Sequence, residues 1–97
     1  MASLDLAFSE QCADYLSGKS KTIPRSDILT TEQQEYLARI ALCGHNAAEA
    51  MNRDDTTMSN FWIANANNIM KTWDESPFTR GQFNIVYCEA YNATRRE

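Results

Sequence analysis

The sequence predicts an all-α fold, a compact bundle of about four helices. Two observations carry it. Apolar residues recur at three- and four-residue spacing in four separate segments. Side chains suited to capping stand immediately before most of those segments. The chain has 97 residues, which leaves room for one core, so residues 1–97 form a single helical domain.

The first segment is expected from about Leu4 to Ser17. Leu4, Phe8, Cys12 and Tyr15 draw its stripe, Ser3 is its expected cap, and Gly18 stands where a left-handed residue would end it. The second runs from about Thr31 to Met51. Thr30 with Gln33, or Thr31 with Gln34, makes a capping box. Its apolar face includes the small residues Ala41, Gly44, Ala47 and Ala48, which would let another helix approach closely. Glu35–Arg39 and Glu49–Arg53 are i,i+4 pairs in the favourable order.

The third segment runs from about Thr57 to Trp73. Asp54, Asp55 and Thr56 supply its cap and a negative charge near the N-terminal dipole. Trp62, Ala66, Ile69 and Trp73 fall in one narrow arc, flanked by Met58, with Asn65 inside the same sector. Pro77 disfavours helix in the residue before it. The fourth segment runs from about Arg80 to Arg95 behind a Thr79–Gln82 capping box. Phe83, Ile85 and Tyr87 also alternate as a strand would, so a minor strand near residues 83–87 is the competing expectation. Leu6, Leu42 and Ile85 lie opposite their stripes and are expected at the surface, where they favour an interface or a homodimer.

Charge and cysteine content narrow the function. Lys and Arg number 9 against 13 Asp and Glu, net −4, a poor balance for holding nucleic-acid phosphates directly. No export leader and no membrane-length apolar run occur, and the cysteines are an odd three, so reduced thiols and a cytoplasmic location are expected.

Gly18-Lys19-Ser20 ends like a phosphate-binding loop, but Ala13 stands where that motif needs its first glycine. The tripeptide also follows a helix, so it reads as a helix stop with a basic tail. Cys43 and His45 point about 200° apart on a helix, too far for a nucleophile and its base. No spacing suits a metal, and no cofactor is expected. The acidic pairs Asp54-Asp55 and Asp74-Glu75 flank helix ends, where dipole complementation accounts for them. The chain therefore reads as a non-enzyme.

In size and style it resembles the anti-CRISPR proteins and other small anti-defence inhibitors of phages and mobile elements: short, acidic, without catalytic groups, with an aromatic-rich helical pattern. The resemblance covers the whole chain as a general character. It implies stoichiometric binding that blocks a nucleic-acid site on a bacterial defence complex, acting as a DNA mimic. The carboxylates available for that role are Glu49, Asp54, Asp55, Asp74 and Glu75. The alternative is a small-ligand binder that sequesters a nucleotide, with Tyr15 stacking a base and Lys19, Lys21 and Arg25 meeting phosphate.

Overall fold

A computed structural model describes residues 5–72 and 78–96 of the chain. Four helices follow one another: α1 (Leu6–Ser17), α2 (Thr31–Asn52), α3 (Thr56–Thr72) and α4 (Arg80–Thr94). The described residues contain no strand. Residues 83–87 are helical, which corrects the strand alternative. Thr79 accepts from the Gln82 amide and Gln82 reaches back to the Thr79 amide, closing a capping box. Phe83, Val86 and Ala90 then face the core at helical spacing. A strand there would have no partner for its backbone groups.

The other ends follow local chemistry. α1 starts two residues later than its pattern suggests, with Asp5 as the cap accepting from the Phe8 amide at 3.1 Å. Ser3 and Leu4 lie outside the described residues. Gly18 takes φ 85° and ends α1 with paired bonds from Gly18 and Lys19 to Tyr15 and Asp14. The same motif ends α2, but Asp54 holds the left-handed position at φ 58°. Aspartate tolerates that conformation better than most side chains. Asp55 then caps α3 through the Met58 amide at 3.1 Å.

The helices do not pack equally. α2 is central, with α3 on one flank and α4 on another; α1 packs chiefly on α4 and less on α2, while α3 and α4 scarcely meet. The principal extents are 38 × 30 × 17 Å, a flattened arrangement. The core gathers Phe8, Leu37, Ile40, Phe83, Val86 and Ala90.

The α2–α4 crossing explains the small-residue face of α2. A Cβ on Gly44 would lie 2.4 Å from the Tyr87 carbonyl oxygen, so backbone meets backbone there. Ala41, Ala47 and Ala48 are buried around it. At the far end, Asn52 ties the helix termini together. Its Nδ2 donates to the Thr94 carbonyl at 3.1 Å, and its Oδ1 accepts from the Arg95 guanidinium and the Arg96 amide.

The connector between α1 and α2 is held by polar contacts. Ser26 donates to the Asp5 carboxylate, the Arg25 amide donates to Gln11 at 3.1 Å, and the Gln34 amide donates to the carbonyls of Ser26 and Leu29. Asp5 thus caps α1 and anchors the connector at once. No helix among the described residues is long and apolar enough to cross a membrane.

Candidate functional site

Two surfaces stand out once the core is assigned: the corner where α2 turns into α3, and the trough between α1, the connector and α2.

The corner carries three of the expected carboxylates. Glu49, Asp54 and Asp55 are all exposed. Glu49 is engaged, with His45 Nε2 at 3.2 Å and Arg53 Nη1 at 3.8 Å, the latter being the expected i,i+4 pair. One oxygen of Asp55 caps α3. Asp74 and Glu75, the remaining members of the acidic set, lie outside the described residues. Beside the aspartates the first turns of α3 present Met58 and Phe61, the latter 52% exposed. The Phe61 ring meets Trp62 edge to face at 5.3 Å. Trp62 leans on the core as expected of its stripe, so it supports Phe61 from behind. Trp73 lies outside the described residues.

Phe61 was not singled out by periodicity, although a signal existed. Apolar residues occupy more of the α3 circumference than one packed face requires, and α3 packs almost wholly on α2. Leu6, Leu42 and Ile85 are exposed, as their positions opposite the stripes predict.

The trough gathers Tyr15, from the alternative ligand set, with Cys12, Leu16, Pro24, Ala38 and Leu42 around a cavity of about 240 Å³. Arg25 lines a different cavity, of about 490 Å³, further along the connector with Ile23, Ser26, Asp27 and Gln34. Lys19 and Lys21 are exposed on the same connector. The four residues therefore share a region without sharing one pocket.

A third cavity, of about 340 Å³, lies where the C-terminal ends of α1, α2 and α4 converge; its lining includes His45, Asn52, Arg53, Arg95 and Arg96. Arg53 and Arg95 are 42 positions apart, so no local pattern announces this convergence. The arginines complement the carbonyl ends of these helices, which carry partial negative charge.

The groups that could support catalysis are dispersed. Cys43 is buried in the core, while the His45 ring is occupied at both nitrogens, Nδ1 with Thr94 Oγ1 at 2.8 Å and Nε2 with Glu49. Burial pushes the Cys12 thiol up to about 12, with the Glu89 carboxylate adding to the effect, so this thiol stays protonated at neutral pH. Burial raises Cys43 as well. No cluster of three metal-ligating side chains occurs among the described residues. The α1–α4 interface holds a different oddity. Glu89 Oε2 is buried without a hydrogen bond, and its pKa is raised by burial and by Glu10 and Asp14 on α1.

Compared with protein-family models, curated proteins and solved structures, the chain matches none.

Proposed function

We propose that the chain is a non-enzymatic, protein-binding inhibitor acting through the α2–α3 corner. One observation carries the reading: exposed carboxylates at Asp54 and Asp55 open α3, and the exposed apolar side chains of Met58 and Phe61 follow within its first two turns. Aromatic anchors with a charged rim are the usual makings of a protein-binding patch. The partner such a patch fits is basic with an apolar contact, the character of a nucleic-acid-binding surface. Placed there, the carboxylates occupy phosphate positions and exclude the nucleic acid. In a cell this is a phage-type, anti-CRISPR-like role: stoichiometric block of a bacterial defence complex in the cytoplasm.

The test uses substitutions that leave the backbone alone. Asn keeps both the left-handed conformation at position 54 and the cap at position 55, so Asp54→Asn with Asp55→Asn removes charge only. Tagged wild type, this double variant and Phe61→Ala are compared as baits in a bacterial lysate. The reading expects a basic, nucleic-acid-handling complex captured by wild type, released by added salt, and lost with either variant. It also expects purified wild type to prevent that complex from binding its nucleic acid. Capture unchanged by both variants, or a captured complex that still binds nucleic acid, refutes it.

The nucleotide alternative has weaker support. A base on Tyr15 would sit against a carbon-lined trough, with Arg25 in the neighbouring cavity and Tyr15 sharing its own with apolar side chains.

A further inference from the structure

The cavity where the C-terminal ends of α1, α2 and α4 converge concentrates positive charge. Its volume, about 340 Å³, falls in the range of small-molecule sites. The guanidiniums of Arg53, Arg95 and Arg96 line it against the single carboxylate of Glu49. In a chain of net charge −4 this is a local reversal of sign.

Local structure brings these cations together. Arg53 follows the last residue of α2, and Arg95 follows the last residue of α4. Asn52 joins the two ends: its Oδ1 accepts from Arg95 Nη1 at 2.7 Å and from the Arg96 amide at 2.8 Å. The group that ties the like charges together is thus a neutral amide, which neutralises none of them. Complementing the helix carbonyls uses little of their donor capacity. Among the described residues the three guanidiniums make two hydrogen bonds, both from Arg95 Nη1, to Asn52 and to the Arg96 carbonyl. Arg53 reaches Glu49 only at 3.8 Å, with its side chain 60% exposed, and Glu49 also meets His45 at 3.2 Å. The Arg96 side chain is exposed and has no partner among the described residues. Like charges gathered this way repel one another, and a bound anion relieves the repulsion.

The kind of anion follows from the donors. A carboxylate is satisfied by one guanidinium fork. A phosphate monoester carries three terminal oxygens and about two charges at neutral pH, which suits several guanidiniums entering from two helix ends. Leu16 and Ala93 add carbon to the lining, and Ser17 and Glu49 add oxygens that can accept from hydroxyl groups, so the cavity has partners for an organic portion as well. Asp54 and Asp55 continue the chain from Arg53 without lining the cavity. They repel a polyanion laid across this end, which favours a single phosphate group over a nucleic-acid strand.

We infer that this cavity binds a small organic phosphate, its phosphoryl oxygens on Arg53, Arg95 and Arg96 and its organic portion against Leu16 and Ala93. Met58 and Phe61 line no part of it, so the site stands apart from the α2–α3 corner.

Ribose 5-phosphate and glycerol 3-phosphate are the probes, with ribose, inorganic phosphate and succinate as controls. Each is titrated calorimetrically into the full chain at physiological ionic strength, where non-specific charge attraction is screened. At least one probe should bind once per chain and raise the apparent stability in thermal unfolding. Ribose should not bind, and inorganic phosphate and succinate should bind at least tenfold more weakly. Arg53→Gln and Arg96→Gln change exposed side chains and should each weaken the probe about tenfold. Glu49→Gln removes the one carboxylate of the lining and should tighten binding. Failure of both probes to bind overturns the assignment. So does binding of inorganic phosphate or succinate as tight as that of the probes, or binding unchanged in both arginine variants. A single-stranded DNA oligonucleotide that binds this end more tightly than either probe, and loses that binding with Arg96→Gln, overturns it in favour of a nucleic-acid contact.

Discussion

The α2–α4 seam and the α3 attachment are built from the same kinds of residue and differ in how completely they are enclosed. At the seam, backbone touches backbone over Gly44, and Val86, Ala90, Ala47 and Ala48 lose all contact with solvent. Along α3, Ser59 and Ala66 are buried, while Met58, Phe61 and Ile63 remain exposed. The seam also has a polar lock, in which Asn52 and His45 reach the end of α4. The difference separates two uses of apolar surface. Buried on both sides, it holds the chain together; covered on one side, it is left to meet something else.

The comparison can be broken most sharply at Gly44. Gly44→Ala puts a methyl group against the Tyr87 carbonyl and should cost about 3 kcal/mol through overpacking, less the ~1 kcal/mol that alanine returns in helix propensity. Urea unfolding measures the loss, and a stability equal to wild type would show that the seam yields. Val86→Ala follows. Its side chain is 0% exposed, and its truncation should cost about 2 kcal/mol in the same assay.

Glu89 sharpens the comparison from the α1 side of the seam. Its folded pKa is raised by burial, Glu10 and Asp14, so the folded state favours the protonated carboxyl. Stability is then fullest below the ordinary carboxyl value and declines as pH rises through the raised one. Glu89→Gln should stabilise the chain by about 1 kcal/mol at pH 7. The advantage should shrink as pH falls below the ordinary carboxyl range, which unfolding curves at two pH values would reveal. An advantage that is constant with pH would mean the ionised carboxylate is not the cause. Phe61→Ser is the smallest change expected, about 0.5–1 kcal/mol, because half of the ring is exposed and the packing lost is its edge contact with Trp62. A loss as large as that of Val86→Ala would place Phe61 in the core and erase the distinction between the regions.

Helix ends were the most legible part of the sequence. Thr30 with Gln33, Thr79 with Gln82, and Gly18 act within one turn of their own positions, so neighbours in sequence suffice to specify them. The small residues of α2 announced a close helix without saying which. The start of α1 escaped because Asp5 is chosen jointly by the Phe8 amide and by Ser26, which is 21 positions away. The spacing groups the candidate carboxylates as one set, yet Glu49 is held by His45 and Arg53 and one oxygen of Asp55 caps α3, while Asp54 stays exposed in the left-handed turn between the helices.

By itself, then, the sequence determined four helices and most of their ends, since these follow from backbone hydrogen bonding and apolar periodicity over a few residues. Only the tertiary structure decided that α4 is the helix lying on Gly44, that α3 is left half-covered, and that Tyr15, Pro24 and Ala38 line one cavity. Those outcomes depend on which apolar stripe faces which, a choice among long-range pairings that no local pattern encodes.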